Sequence, residues 1–383
     1  MANIMDYLDW RGDLSFEQSP FNEVDNLILC KLCNVDLTGI VPEAGSAVTA
    51  SEAAERYFAT HSENERLGVF IPTDVLPMFR RMTETVRFGG IHMSDYINRI
   101  DMAREEQFSA LTIGLSDGTK FITFRGTDDT IVAWKENFNM SSFDAVPAQT
   151  DASAYLLSSS QRSDGPIRVG GHSKGGNLAV YAAMHNPSEV QDRIINVYNN
   201  DGPGFRESVL DTPEYRRIRM KVVTLVPQYS LVGMLLSHEE EYEIIKSDEA
   251  GIAAHNGFTW EVRGVRFVRS GDFALRSRLF DSAVHAWETG MDLKQRRQFV
   301  DTLFAILTST GAKTLTDLNE HKLRQAIEIA NGLYQDREQR ELIVMTLELL
   351  IKEYMNSARA VLPIPKIPLK GVLGRKKKPE DGE

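Results

Sequence analysis

A serine set between glycines is the residue of this 383-residue chain with the clearest chemical potential. Ser173 lies in Gly-Gly-His-Ser-Lys-Gly-Gly, residues 170–176, between a short apolar run at 167–169 and a small-residue run at 177–183 typical of a helix. The segment contains G-x-S-x-G. On a tight strand-to-helix turn the serine Oγ is exposed at the sheet edge, and flanking glycines let strand and helix pass closely. We therefore predict Ser173 as a nucleophile, against the alternative of an ordinary glycine-rich turn.

The same glycines do not fit a phosphate-binding loop. Such a loop needs G-x-x-x-x-G-K-[ST], with the lysine after the last glycine, whereas Lys174 precedes Gly175 and Gly176. No G-x-G-x-x-G follows a predicted strand either. The sequence therefore gives no reason to expect a nucleotide, and we predict a protein without a cofactor.

A catalytic serine needs a base, and the chain has eight histidines. In α/β-hydrolases the order along the chain is serine, acid, histidine, with the histidine on a loop after a late strand. His255 fits, because it lies in a loop with Asn256 and Gly257 just before the strand-like run 261–267. His238 lies in an acid-rich segment and is less suitable. We predict His255 as the base, against a loop histidine with no catalytic role.

The negative charge that forms on the substrate's carbonyl oxygen needs hydrogen-bond donors fixed in advance. The backbone N–H of Lys174, directly after the nucleophile, is one expected donor. The second should follow an earlier strand, and the segment 121–127 (FITFRGT) provides it. Gly126 permits a sharp turn that aims the amide or hydroxyl of Thr127 inward, unless the segment is only a strand-ending turn.

Three segments together resemble a known family. Gly-His-Ser-Lys-Gly-Gly-Asn at 171–177, Phe-Arg-Gly-Thr at 124–127 and Asn-Asp-Gly-Pro-Gly-Phe at 200–205 are similar to bacterial lipase-like α/β-hydrolases long described as a domain of unknown function. These are distant relatives of the class 3 lipases, and the resemblance spans roughly residues 1–270. It implies a serine-hydrolase fold without a settled substrate, and the places of Thr127 and His255 agree with it.

The position of the acid departs from that family pattern. Class 3 lipases have an aspartate after the strand that corresponds to 221–226, where this chain has Pro-Gln-Tyr-Ser at 227–230. Asp201, at the end of the predicted strand 194–198 and before a Gly-Pro-Gly turn, is the alternative. It could instead cap that turn. Asp248 is a third option, in a context typical of a solvent-exposed loop. We predict Asp201 as the acid that orients His255.

The surrounding pattern predicts an α/β-hydrolase-like, mostly parallel sheet with helices on both faces. The runs 108–115 and 120–124, separated by Ser-Asp-Gly, predict a hairpin. Further strands are expected at 167–169, 194–198, 221–226 and 262–268, whereas 14–100 is expected to be mainly helical and irregular. We divide the chain into a hydrolase-like domain at 1–270, a helical appendage at 271–360 and a disordered basic tail at 361–383.

Within the appendage, Asp292 and Gln295 predict a capping box that opens one helix, and a second helix is expected at about 337–355.

The cysteines, Cys30 and Cys33, form a C-x-x-C inside an apolar helical stripe, so core packing is expected rather than zinc binding or redox chemistry.

The net charge of −11 argues against nucleic acid as the main partner. The N-terminus does not resemble a signal peptide, and no apolar run reaches the length of a membrane span, so a cytoplasmic protein is expected. The lysine-rich tail permits a weak contact with a membrane surface. The oligomeric state stays open.

These residues together predict a serine hydrolase of ester or thioester type acting on a small acyl substrate. The apolar segment 231–236 (LVGMLL) is an expected acyl-chain wall or lid. Two alternatives remain: a catalytically weak binding protein that keeps the pocket, and a peptidase or amidase.

Overall fold

The computed structural model describes residues 1–68, 71–273, 292–314, 317–318, 320–333 and 343–344. One eight-stranded sheet organises the described chain, and its strands lie side by side in chain order. They are β1 (Val48–Thr49), β2 (His92–Asp101), β3 (Glu106–Gly114), β4 (Lys120–Phe124), β5 (Ile167–His172), β6 (Ile194–Asn200), β7 (Val222–Pro227) and β8 (Tyr242–Ile245). Neighbours are antiparallel from β1 to β4 and parallel from β4 to β8. The carboxyl ends of the five parallel strands therefore meet at one edge of the sheet.

Helices cover both faces of this sheet. The described helices are α1 (Ile4–Arg11), α2 (Glu23–Leu32), α3 (Ala50–Phe58), α4 (Val75–Thr83), α5 (Ile131–Asn139), α6 (Pro147–Ser160), α7 (Lys174–Met184), α8 (Ser188–Arg193), α9 (Glu207–Leu210), α10 (Pro213–Ile218), α11 (Leu293–Ser309) and α12 (Glu320–Leu333). Helices α1 to α4 share one apolar core with one face of the sheet, and α6, α7 and α10 share a second core with the other face. The predicted fold class is confirmed.

The predicted hairpin is confirmed by the antiparallel register of β3 and β4, in which Ala110 lies opposite Phe124. The strands predicted at 167–169, 194–198 and 221–226 correspond to β5, β6 and β7. Most residues of these three strands are buried, which is why the runs are mainly apolar.

Three expectations about strands were wrong. β2 lies within the range expected to be helical and irregular; a register shift between Ser94 and Ile97 breaks the alternation by which a strand is recognised. The short strand β8 follows an acidic run and was missed. The run 262–268 is not a strand of the main sheet but a small hairpin of β9 (Val262–Arg263) and β10 (Arg266–Phe267), because Gly264 at φ +66° turns the chain between them.

The C-terminal helix α11 packs on α5. Asp292 and Gln295 form the predicted capping box of α11. Leu303 and Phe304 of α11 share a third apolar core with Ile131 of α5. An ion pair between Lys135 and Asp301, 2.8 Å long, joins the same two helices. The helix predicted at 337–355 lies almost wholly outside the described residues, and the tail at 361–383 lies entirely outside them.

No described helix combines the length and the apolar character needed to cross a membrane.

Candidate active site

Ser173 occupies the turn between β5 and α7 with an unusual backbone conformation. Its φ and ψ are 60° and −133°, in a region that residues other than glycine rarely adopt. A conformation of this kind costs on the order of 1–3 kcal/mol and persists only where neighbouring contacts enforce it. One such contact is the Ser173 N–H, which donates to the carbonyl oxygen of Asn200 at 3.0 Å. The side chain is half-buried at the sheet edge.

The glycines around Ser173 are required by close backbone approach. A Cβ on Gly171 would lie 2.1 Å from the carbonyl carbon of Gly175, and a Cβ on Gly175 would lie 2.1 Å from the carbonyl oxygen of Phe124. A Cβ on Gly126 would lie 3.1 Å from the Cβ of Ser173. The turn after β4 therefore lies directly against the serine.

Asp201 and His255 are hydrogen-bonded to each other. The distance from His255 Nδ1 to Asp201 Oδ2 is 2.6 Å. Asp201 is fully buried at the end of β6, and its own N–H donates to the carbonyl oxygen of Leu225 in β7. A buried carboxylate at Nδ1 holds the imidazole in the tautomer that leaves Nε2 free to accept a proton.

The second oxygen of Asp201 has donors of its own. Ser230 Oγ donates to Asp201 Oδ1 at 2.5 Å, and the N–H of Gly233 donates to the same atom at 3.1 Å. Ser230 follows β7, so its side chain is bonded to a carboxylate that follows the neighbouring strand β6. Sequence reasoning missed this role, although Ser230 and Asp201 both follow the ends of adjacent strands.

His172, directly before the nucleophile, was also missed. Its Nε2 donates to the carbonyl oxygen of His255 at 2.8 Å, and the two ring centroids are 4.4 Å apart. Burial, together with the positive charges of Lys31 and His255, holds the pKa of His172 well below its ordinary value. A neutral His172 therefore supports the backbone of the loop that carries His255.

Ser173 lies beside the Asp201 turn, since a Cβ on Gly202 would be 2.4 Å from the carbonyl oxygen of Ser173. Among the described side chains, Ser173 Oγ and His255 Nε2 do not form a hydrogen bond. Catalytic hydrogen bonds are often long in the absence of substrate and shorten when substrate binds.

The two expected oxyanion donors have well-defined surroundings. Lys174 is the first residue of α7, so its N–H has no partner within the helix. Its side chain is buried, and Nζ donates to Glu136 Oε2 at 2.8 Å and to the carbonyl oxygen of Gln107 at 2.6 Å. Thr127 Oγ1 accepts a hydrogen bond from Asn137 Nδ2 at 2.6 Å.

The other residues considered from the sequence lie in different surroundings. Asp248 is exposed, and His238 is buried with its Nδ1 3.0 Å from Glu240. The segment 231–236 contains a 3-10 turn (Val232–Met234) next to Asp201, since a Cβ on Gly233 would lie 2.3 Å from Asp201 Oδ1.

Cys30 and Cys33 lie in the apolar core, and burial raises the pKa of both thiols, that of Cys33 to about 12. Within the part of the chain that the structure describes, no group of three or more His, Cys, Asp or Glu residues is placed to hold a metal ion.

No curated protein matches the sequence. The chain is similar to the Rhizomucor miehei lipase in its propeptide complex at 15% identity and a TM-score of 0.31, over 44% of this chain and 66% of that one. It is similar to the M37 lipase at 15% identity and a TM-score of 0.37, over 88% of this chain and 97% of that one. The model of the Mbeg1-like family matches residues 82–305, more than half of the sequence, and the chain therefore belongs to the Mbeg1-like family.

Proposed function

We propose that this protein is a serine hydrolase that cleaves ester or thioester bonds through an acyl-enzyme. The observation that carries the proposal is the 2.6 Å hydrogen bond between His255 Nδ1 and buried Asp201, beside a serine held at φ 60°. A base oriented by a carboxylate and lying next to a serine is the arrangement that activates a serine hydroxyl.

The proposed reaction has two halves. Ser173 Oγ attacks the acyl carbonyl carbon while His255 Nε2 takes the hydroxyl proton, and Asp201 stabilises the resulting imidazolium. The tetrahedral oxyanion accepts hydrogen bonds from the Lys174 N–H and from Thr127. The bond to the leaving group breaks, and the leaving alkoxide or thiolate takes the proton from His255. Water then attacks the acyl carbon while His255 removes one of its protons; the bond from the acyl carbon to Ser173 Oγ breaks, the carboxylic acid leaves, and His255 returns the proton to Ser173 Oγ.

The substrate in this proposal is a small acyl compound whose apolar part contacts the segment 231–236. That segment lies beside the acid and contains four large apolar side chains besides Val232 and Gly233. A peptidase or amidase would use the same residues, so the leaving group is to be found by testing esters, thioesters and amides of one acyl group.

A binding protein is the second candidate, and one observation favours it: Ser173 Oγ lacks a hydrogen bond to His255 among the described side chains. A protein of this kind would bind acyl ligands without turning them over. Its Ser173→Ala variant would then bind the ligand as tightly as the wild type.

The test is a pre-steady-state measurement with p-nitrophenyl acetate. The proposal predicts a burst of p-nitrophenolate close to one equivalent per active site, and an acetyl group on the peptide containing Ser173. Ser173→Ala should remove both, whereas Ser188→Ala, a change at an exposed serine, should alter neither. Substrate binding without a burst or turnover in the wild type would favour the binding protein.

A further inference from the structure

Two consecutive residues of α5 contact the two candidate oxyanion donors. Glu136 is paired with the side chain of Lys174, and Asn137 is hydrogen-bonded to the side chain of Thr127. Neither Glu136 nor Asn137 is one of the three residues proposed to carry the reaction, Ser173, His255 and Asp201. Helix α5 begins directly after the turn that contains Thr127, so one short element connects both parts of the expected oxyanion hole.

Lys174 is held from inside the protein. The Lys174 side chain is 1% exposed and that of Glu136 is 0% exposed. The same carboxylate accepts the N–H of Gln107 on Oε2 at 3.1 Å and the N–H of Ala148 on Oε1 at 2.9 Å. Glu136 thus joins β3, the start of α6 and the start of α7. A movement of α7 would separate the buried charges, which is strongly unfavourable, so the pair fixes where the Lys174 N–H points.

The hydrogen bond from Asn137 determines the direction in which the hydroxyl of Thr127 can donate. Asn137 Nδ2 is the donor to Thr127 Oγ1, at 2.6 Å. The hydroxyl of a threonine has one proton and can accept from other donors at the same time. Because Asn137 donates to Thr127 Oγ1, the hydroxyl proton of Thr127 remains available to donate on the side away from Asn137. Gly126, directly before Thr127, lies against Ser173, since a Cβ on it would be 3.1 Å from the Cβ of Ser173.

We propose that Glu136 and Asn137 are the positioning residues of the oxyanion hole, Glu136 through Lys174 and Asn137 through Thr127. This inference rests on the proposed function, because an oxyanion forms only if Ser173 attacks a carbonyl. Neither residue touches the substrate. Their effect is to keep the two donors in place before the oxyanion develops, which is when preorganised donors are most effective.

The test compares two substrates that differ in one atom, p-nitrophenyl acetate and its thiono analogue, in which sulfur replaces the carbonyl oxygen. Sulfur is the weaker hydrogen-bond acceptor, so the ratio of kcat/KM for the two substrates reports how well the donors are placed. The variants are Glu136→Gln, which neutralises the partner of Lys174, and Asn137→Asp, which keeps the side-chain shape and replaces the donor to Thr127 by an acceptor.

We expect each variant to lower kcat for the oxygen ester by about tenfold or more, with KM within about twofold, and to lower the oxygen-to-sulfur ratio by about tenfold. Asp25→Asn is the matched control, because Asp25 and Arg87 form the other ion pair with fully buried side chains among the described residues. It should lower the melting temperature and leave the ratio unchanged.

Equal losses on both substrates, or an unchanged ratio in Asn137→Asp, would overturn the inference while leaving the proposed function intact. Asn137→Asp tests the inference even if Glu136→Gln does not fold, because a change at the half-buried Asn137 is expected to leave the fold intact. A wild-type protein without any burst would instead contradict the proposed function, and the inference with it.

Discussion

At the scale of residues, the site is held together by contacts that the linear sequence only partly indicates. Ser173 was predicted from local spacing alone, because the glycines that a tight strand-to-helix turn requires lie within a few residues of it. Asp201 was selected by elimination, and the structure places it against His255. Ser230 and His172 could not be found in this way, since their partners lie 29 and 83 residues away in the chain.

The first prediction concerns the acid. Asp201→Asn should lower kcat on p-nitrophenyl acetate by about a hundredfold or more, because an amide no longer stabilises the imidazolium or holds its tautomer. Ser230→Ala should cause a smaller loss of about tenfold, since it removes one of two donors to Asp201 Oδ1. Steady-state kinetics measures both effects. Asp248→Asn, at an exposed carboxylate, is the control, and a comparable loss there would contradict the assignment.

The second prediction concerns Lys31, which is 2% exposed. Burial lowers the pKa of Lys31 to about 7, against the opposing influence of Cys30 and Asp201. Between pH 7 and about pH 10.4, the ordinary pKa of lysine, the unfolded chain binds a proton at Lys31 that the folded chain does not. Lys31 therefore makes the free energy of unfolding rise with pH over this range. Below pH 7 Lys31 is protonated in both the folded and the unfolded state, and the buried charge then destabilises the fold by its full amount.

Lys31→Met should therefore raise the free energy of unfolding at pH 7 by on the order of 3 kcal/mol, and the gain should shrink as the pH approaches 10. Chemical denaturation of both proteins at several pH values measures the difference. A gain that is constant with pH would show that Lys31 does not titrate in this window.

At the scale of elements, the local patterns predicted the pieces whose geometry is regular. The hairpin of β3 and β4 has turn residues between two apolar runs, and the capping box of α11 lies within four residues, so both are readable from the sequence. β2 was not, because its bulge between Ser94 and Ile97 shifts which side chains face the core. The run 262–268 misled the prediction because its apolar residues continue across the turn at Gly264.

The third prediction concerns the contact between α5 and α11. Leu303 is fully buried in the apolar core that contains Ile131. Leu303→Ala should lower the free energy of unfolding by about 2–4 kcal/mol, through lost burial and the cavity left behind. Thermal denaturation measures the loss. Gln298→Ala, at an exposed position of the same helix, is the control, and an equal effect of the two changes would show that α11 does not depend on this contact.

At the scale of the whole molecule, chain order explains how distant residues meet. β4 to β8 are parallel and adjacent, so the turns that carry Thr127, Ser173, Asp201 and Ser230 follow neighbouring strand ends at one edge of the sheet. The central strands β3 to β7 were predictable from the sequence, and with them the fold class. Contacts between the turns at this edge depend on strand registers and turn shapes that no local sequence pattern encodes. Ser230 and His172 were therefore found only from the structure.

Covalent labelling by a fluorophosphonate probe reports whether Ser173 is activated by His255 and Asp201. An activated serine reacts with this reagent whatever the natural substrate is. The account predicts that the folded wild-type protein is labelled on the peptide containing Ser173, that His255→Ala is labelled at least about a hundredfold more slowly, and that Ser173→Ala is not labelled there. A folded wild-type protein that resists the probe, or that is labelled at another residue, would contradict this activation of Ser173.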